Sequence, residues 1–200
     1  MGSKELRTRE TWQDYSGANA GTAERSFEAT MREHFKVTDL KIRSKPSEFQ
    51  DVYVHQPLSK EVMASIYNPS SKITRHGIRP DYAIDNPITK KTLYVEVKRQ
   101  DGWVEGGKRS DGRGNAHERS CKYFTPGLLQ LLRSKGGITS AESLPFWVVF
   151  IGDVTRDPCR VREITYWYQG YESHFFMWRD QSNPSPLLCH FDDSLKHLLL

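Results

Sequence analysis

The chain has 200 residues, of which 36% are hydrophobic and 12% aromatic. This length fits one domain with an ordinary core, and so many aromatic residues exclude an intrinsically disordered chain. No stretch approaches the roughly 20 apolar residues of a membrane-spanning helix, and the N-terminus lacks the apolar centre of a signal peptide. We therefore expect a soluble, cytoplasmic protein with no membrane partner, whose three separated cysteines are free thiols.

The net charge of +4 is too small to identify a nucleic-acid partner, so the distribution of charge has to be considered. Between Lys98 and Lys122, seven lysines and arginines stand against four acidic residues. The same stretch holds five of the 14 glycines. Most of the excess positive charge is therefore concentrated in one glycine-rich segment.

The first part of the chain gives one clear helix. Residues 1–21 are polar and predict an N-terminal arm or a loosely packed lead-in. Phe27, Met31 and Phe35 then recur every four residues, which predicts a helix over residues 22–36 with these side chains on one face. The stretch that follows contains many turn signals and predicts only a short helix, at residues 59–67.

Two strands joined by a turn come next. In the second strand apolar and polar residues alternate strictly. Because successive side chains point to opposite faces of a strand, Leu93, Val95 and Val97 share one face, and Glu96 and Lys98 share the other. The predicted strand, turn and strand lie at residues 81–84, 85–87 and 93–98.

The rest of the chain predicts helices around one central strand. A helix begins within residues 115–118 and continues toward Leu132, with an interruption at Pro126-Gly127. Residues 144–151 form a continuous apolar run, typical of a strand covered on both faces. The aromatic residues of 166–178 are typical of core or dimer packing in a half-buried hairpin. This order predicts a single α/β domain over the whole chain, with a mixed central β-sheet flanked by helices.

A catalytic metal site is indicated by the types and spacing of three residues, Asp81, Glu96 and Lys98. A hairpin would bring the two carboxylates together and leave Lys98 beside Glu96. Two carboxylates with a lysine suit a Mg2+ site, where the metal polarises a phosphate oxygen and activates a water. Lys98 would either offset transition-state charge or deprotonate the water, and its ordinary pKa of about 10.4 favours the electrostatic role. Alternatively, Asp81 is a turn residue and the other two lie on an ordinary solvated strand face.

Two motifs give the chain a family resemblance. PDYAIDNPITKKTLYVEVK resembles the PD-(D/E)xK motif of nucleases, in which Pro-Asp is followed after a variable gap by Glu-x-Lys. GRGNAHER resembles the GNA-x-ER segment of EcoRI-like restriction endonucleases. Together the two motifs are much more specific than either one alone. The resemblance covers about residues 80–152, which would be the catalytic and recognition core.

The resemblance implies a homodimeric type II restriction endonuclease with a PD-(D/E)xK core, acting in a bacterial cell. Such an enzyme would bind a palindromic double-stranded DNA site with an AATT core. It would cut both strands with Mg2+ and leave 5′ overhangs. By position, Asp81 and Glu96 would be metal ligands, Val97 would offer its carbonyl to the metal, and Lys98 would be the third catalytic residue.

The resemblance also implies which residues recognise the DNA. Asn115, Ala116 and Arg119 match base-contacting residues, and His117 at the variable position is expected to contact bases as well. Arg113 is expected to read an outer C·G pair, because an arginine fork pairs with guanine whereas an asparagine amide matches adenine. The expected site is then C^AATTG. The predicted DNA-binding residues are Arg113, Gly114, Asn115, Ala116, His117 and Arg119.

Other interpretations stay open around this segment. Asn115 could be simply a helix N-cap, and Glu118 could be a capping residue, an orienting partner of the nearby arginines, or a third metal ligand. The whole chain could instead be a structure-specific repair or recombination nuclease of the same fold, or a DNA-binding protein that does not cleave. Basic residues that would contact phosphates, or form a solvated surface, are Lys108, Arg109 and Lys122.

Overall fold

A computed structural model of the protein describes residues 21–101 and 116–200. The predicted N-terminal arm lies almost entirely outside the described residues. Arg113, Gly114, Asn115, Lys108 and Arg109 also lie outside them. The strands are β1 (Lys41–Ser44), β2 (Tyr82–Asn86), β3 (Lys91–Arg99), β4 (Phe146–Ile151) and β5 (Phe175–Trp178). The helices are α1 (21–34), α2 (Lys60–Ala64), α3 (Pro126–Gly136), α4 (Pro158–Trp167) and α5 (Ser185–Ser194).

The five strands form one sheet in the order β1-β2-β3-β4-β5. The pairs β1/β2 and β2/β3 are antiparallel, whereas β3/β4 and β4/β5 are parallel. Antiparallel strands need only a tight turn between them, but parallel strands need a longer crossover. The helices of the two crossovers, α3 and α4, cover one face of the sheet, and α1 and α5 cover the other. The predicted α/β fold with a mixed central sheet is thus confirmed.

Strand β3 lies between two apolar layers, whereas its alternation predicts an apolar layer on one face only. Leu93, Val95 and Val97 pack into a buried cluster with side chains of α1 and α5. Tyr94 points to the opposite layer, which α3 and α4 cover. Strand β4 is buried along its whole length, which confirms the central strand predicted from the run at residues 144–151. Glu96 therefore lies in the sheet's interior, and β3 approaches solvent only at its two ends.

The N-terminal helix and the C-terminal helix share one layer. Helix α1 continues as a 3-10 turn at Phe35–Val37, and Phe27, Met31 and Phe35 are all buried, as predicted. Phe35 and Phe191 of α5 have ring centroids 5.4 Å apart. The periodicity of the sequence therefore located both the helix and its buried face.

The β2–β3 hairpin differs in detail from the predicted one. Strand β2 continues through Asn86, so Asp85 and Asn86 belong to the strand and the turn follows them. The Asn86 side chain accepts hydrogen bonds from the backbone of Ile88 and Thr89 in the turn. It also donates to the carbonyl of Leu199, a contact 113 residues away in sequence. Asn86 does contribute to the turn, but the strand ends two residues later than predicted.

The predicted helix toward Leu132 consists of two separate helices. A 3-10 helix, Glu118–Phe124, comes first, and α3 begins at Pro126. Thr125 between them is extended, which is the conformation favoured before a proline. Near the other end of α3, a Cβ on Gly136 would lie 2.5 Å from the carbonyl oxygen of Thr92. This glycine allows the helix to approach β3 closely.

The aromatic stretch at residues 166–178 does not form the predicted hairpin. Tyr166 and Trp167 end α4, and β5 pairs in parallel with β4. The crossover helix α4 starts at Pro158, and its N-cap Asp157 accepts hydrogen bonds from two backbone N–H groups. The prediction of packing is confirmed for Tyr168 and Trp178, which are buried. Aromatic alternation shows that an element is half-buried, but not the direction in which its strand runs.

Several smaller expectations can be compared with the described residues. Helix α2 is shorter than predicted, and its N-cap Ser59 accepts a hydrogen bond from Val62 N. Cys121, Cys159 and Cys189 are free thiols. Among the described residues, no helix is long and apolar enough to cross a membrane.

Candidate active site

The hairpin register places the two predicted carboxylates opposite each other. Tyr82 pairs with Val95 across the β2–β3 ladder, so Asp81, one residue earlier, stands across from Glu96. The Val97 N–H donates to Asp81 Oδ2 over 2.8 Å and fixes that side chain against β3. The juxtaposition expected from the motif is therefore present in the structure.

The Lys98 ammonium lies among three oxygen atoms. Its Nζ is 2.5 Å from Glu96 Oε1 and 3.8 Å from Asp81 Oδ2. It also donates to the Val97 carbonyl oxygen over 3.4 Å. These oxygens belong to the three residues that the resemblance marks as metal ligands. The site is thus a converging set of hard oxygen acceptors next to one cationic side chain.

Burial gives this cluster unusual electrostatics. The Glu96 side chain is only 6% exposed, and the Asp81 and Lys98 side chains are 16% exposed. Burial raises the pKa of Asp81 to about 7, and repulsion from Glu96 adds to the rise. Lys98 and the Val97 N–H act in the opposite direction. Two carboxylates this close need a cation between them if both are to be ionised.

The chemistry of these oxygens fits a divalent cation. Carboxylate and carbonyl oxygens are the ligands of Mg2+, which keeps several waters and takes only one or two carboxylates from a protein. Among the described residues, no three His, Cys, Asp or Glu side chains gather as a metal cluster. Two carboxylates and the Val97 carbonyl are therefore the oxygen ligands that residues 21–101 and 116–200 offer at this site. Glu118 is not brought together with Asp81 and Glu96, so the third-ligand interpretation of Glu118 is not supported.

Tyr123 is a site residue that the sequence reasoning missed. Its hydroxyl donates to Glu96 Oε2 over 2.7 Å, and the residue is 1% exposed. Ser120 and Tyr123, three residues apart, are the buried residues of their 3-10 helix. This spacing could have indicated a buried tyrosine, but not the strand that it contacts. Lys122, expected to contact phosphates, has its Nζ 3.9 Å from Glu96 Oε1.

The described part of the recognition segment begins at Ala116. Ala116 is half-buried, and Arg119 is exposed at the start of the 3-10 helix. Arg119 is therefore accessible to a macromolecular ligand. Glu118 is exposed as well, and its Oε1 lies 3.9 Å from His117 Nε2. Glu118 is thus placed beside the His117 side chain.

His117 is fully buried, which does not fit the prediction that it contacts bases. Its Nδ1 is 2.8 Å from Gln100 Oε1, and its Nε2 is 3.3 Å from Glu163 Oε2. Its ring stacks on Trp167, with centroids 5.6 Å apart and planes 8° from parallel. Burial lowers the pKa of His117, as does the positive charge of Arg160. With both ring nitrogens engaged, this side chain anchors the segment.

The comparisons with known proteins agree with this geometry. The model of a family described as Type II restriction enzyme MunI matches residues 1–200. The chain belongs to this family. A type II restriction enzyme MunI from Mycoplasma sp is 48% identical to it over 201 residues, which cover 100% of both chains.

A solved structure of the MunI family extends the agreement to three dimensions. The crystal structure of MunI restriction endonuclease in complex with cognate DNA matches with a TM-score of 0.81 and 47% identity. The match covers 94% of this chain and 97% of that one. The restriction-endonuclease fold and the type II restriction enzyme class predicted from the two motifs are confirmed. Membership of the MunI family implies the use of a divalent metal, and the complex of this relative supports DNA binding.

Proposed function

We propose that the protein cuts both strands of a palindromic DNA site with an AATT core, as a homodimer and with Mg2+, leaving 5′ overhangs. The observation that carries this proposal is the convergence of Asp81, Glu96 and Lys98 in a chain of the MunI family. The expected site is C^AATTG, because Arg113 suits an outer guanine. Residues 1–200 would act as one domain, in the bacterial cytoplasm.

In the proposed mechanism, Asp81, Glu96 and the Val97 carbonyl would hold the metal. Bound Mg2+ would polarise a phosphate oxygen and make a coordinated water more acidic. Lys98 is well placed to contact the scissile phosphate, since its ammonium is 2.5 Å from Glu96 Oε1. There it would offset the negative charge that develops on the phosphate and orient the attacking water. Burial of Glu96 keeps bulk water away and strengthens these interactions.

The proposed recognition uses the segment that leads into the 3-10 helix. Arg113, Asn115, Ala116 and Arg119 would contact bases, with the backbone at Gly114 close to the DNA. We propose a supporting role for His117, because its side chain is buried against Trp167. Basic side chains that would contact phosphates are Lys108, Arg109 and Lys122.

Cleavage of a long duplex of known sequence tests the proposal. The DNA is digested with Mg2+ and with EDTA, and the ends are sequenced. We expect Mg2+-dependent ends at a single palindrome, CAATTG, with 5′ overhangs. A different outer pair around AATT would contradict the assignment to Arg113 and leave the rest of the proposal intact.

Two other outcomes correspond to the alternative functions. Scattered ends would indicate a repair or recombination nuclease that recognises DNA structure. Tight binding to DNA without any cleavage in Mg2+ would indicate a DNA-binding protein that has kept the scaffold and lost the chemistry. A duplex in which one base of AATT is changed is the matched control, and we expect it to stay intact.

A further inference from the structure

The hydroxyl of Tyr123 is directed at the carboxylate of Glu96. The residue is 1% exposed, and its hydroxyl donates to Glu96 Oε2 over 2.7 Å. Its ring packs against Phe146 of β4, with centroids 5.4 Å apart. This packing holds the ring in place and keeps the hydroxyl within hydrogen-bond distance of Glu96. The orientation of this hydrogen bond is therefore set by the core.

The two oxygens of Glu96 have different partners. Oε1 is 2.5 Å from Lys98 Nζ and 3.9 Å from Lys122 Nζ. Oε2 accepts the hydrogen bond of Tyr123. A carboxylate without the tyrosine could rotate about its last side-chain torsion, which has a broad energy minimum. With the tyrosine in place, Oε1 is the oxygen that contacts Lys98, whose Nζ also lies 3.8 Å from Asp81 Oδ2.

We propose that Tyr123 is a positioning residue that fixes the carboxylate of Glu96 for metal binding. Groups that hydrogen-bond to a metal ligand typically orient it, and their removal weakens metal binding. Tyr123 and Arg119 lie in the same 3-10 helix, Glu118–Phe124, so one short element connects base recognition with the metal site. The inference rests on the proposed function, because it presumes that Glu96 binds a metal.

The test is Tyr123→Phe, which removes one oxygen atom and keeps the ring. The matched control is Tyr168→Phe, since Tyr168 is a buried tyrosine of the same apolar cluster. Within the described residues, the Tyr168 hydroxyl is not hydrogen-bonded to Glu96. Ca2+ serves as a probe of the oxygen site. Its affinity is measured by calorimetry on the protein bound to a CAATTG duplex, whose integrity is checked afterwards.

We expect Tyr123→Phe to weaken Ca2+ binding roughly tenfold or more. The Mg2+ concentration that gives half the maximal cleavage rate should rise in parallel. Tyr168→Phe should leave both values close to those of the wild type. DNA affinity in EDTA should be unchanged in both variants, because neither hydroxyl is exposed. The rise in unfolding midpoint that Ca2+ produces gives a second readout, which should shrink for Tyr123→Phe alone.

An unchanged Ca2+ affinity in Tyr123→Phe would overturn the inference and leave Tyr123 as a packing residue. An equal loss of Ca2+ affinity in both variants would overturn it too, since that would indicate a general destabilisation of the core. If the wild type neither binds Ca2+ nor cleaves with Mg2+, the proposed function fails and the inference fails with it. These three results are distinguishable in one set of titrations.

Discussion

At the scale of single residues, the site combines two buried carboxylates, Asp81 and Glu96, with the ammonium group of Lys98. Asp81 and Glu96 are buried together, and the pKa of Asp81 is raised to about 7 by burial and by Glu96. Lys98 is the cation that both carboxylates contact. Removing one carboxylate would therefore change the charge of the site without disturbing the ladder around it.

The first prediction concerns Glu96→Gln, which keeps the side-chain shape and removes the negative charge. We expect cleavage in Mg2+ to fall on the order of a thousandfold, because the metal loses a ligand. DNA binding in EDTA should persist, since the residues proposed to contact bases are untouched. The control is Asp85→Asn on β2, whose carboxylate pairs with Arg43 at 2.5 Å instead of facing the site. Normal cleavage by Glu96→Gln would refute the role of Glu96.

The second prediction concerns His174, which is neutral in the fold. Its Nε2 accepts the Leu144 N–H at 3.1 Å, so Nδ1 carries the proton and donates to the Phe146 carbonyl at 3.0 Å. Burial lowers the pKa of His174 to about 4. The unfolded chain takes up this proton below about pH 6.5, whereas the folded chain does so only near its own lower pKa. The stabilisation is thus complete above about pH 6.5 and is lost as the pH falls toward 4.

Urea unfolding at pH 7.5 and at pH 5 measures this effect. Linkage gives a loss of about 2 kcal/mol from His174 between the two pH values. We expect the pH-dependent loss in His174→Gln to be smaller than in the wild type by about that amount. The comparison uses the change with pH within each protein, so a uniform destabilisation by the substitution does not matter. Equal losses in the two proteins would show that His174 can be protonated in the fold.

At the scale of elements, the end of β3 and the recognition segment are held together. Gln100, directly after β3, accepts from the backbone N–H of His117 at 3.3 Å and is 2.8 Å from its Nδ1. Helix α4 completes the anchor through Glu163 and Trp167. The backbone at residue 117 is therefore fixed to the strand that carries Glu96. This arrangement sets where Ala116 and Arg119 lie relative to the cleavage site.

The third prediction separates this anchoring role of His117 from base contact. Gln100→Ala removes the anchor at a buried position, and we expect it to reproduce the effect of His117→Ala. A shift of about 1 Å in a positioned group costs on the order of a hundredfold, so cognate cleavage should fall between tenfold and a hundredfold in both variants. Gln169→Ala, at an exposed position just after α4, is the control. A large loss of cleavage in His117→Ala with none in Gln100→Ala would instead support the prediction that His117 contacts bases.

At the scale of the whole molecule, the proposed homodimer would use one active site for each DNA strand. Asp81, Glu96 and Lys98 all come from one hairpin, so each chain carries a complete set of these residues. A palindrome presents each half of its sequence to one subunit of a two-fold symmetric dimer. In the proposed dimer, a double-strand cut would then require two chains, each acting once.

The fourth prediction uses dimers with a single active subunit. Wild-type chains and Glu96→Gln chains carrying different tags are produced together, and the mixed dimer is purified through both tags. We expect it to convert a supercoiled plasmid with one CAATTG site into a nicked circle that is not linearised further. The Glu96→Gln homodimer should leave the plasmid intact. Rapid linearisation by the mixed dimer would contradict the assignment of one strand to each subunit.

The sequence by itself determined the parts of the molecule that local patterns record. Strict alternation along residues 93–98 assigned both faces of β3, and the spacing of Asp81, Glu96 and Lys98 placed them in one hairpin. The period of α1 and the apolar run of β4 likewise followed from neighbouring residues. Such patterns suffice because a strand or helix has a fixed repeat, whatever covers it.

Only the tertiary structure decided which element covers each face. Tyr123 donates a hydrogen bond to Glu96, which is 27 residues away in sequence. His117 contacts Glu163, which is 46 residues away. The parallel direction of β5 likewise depends on the crossover through α4. Local periodicity states that a side chain is buried, but its partner is set by packing between distant segments. The sequence therefore predicted the residues of the candidate active site, whereas only the structure showed which residues contact and position them.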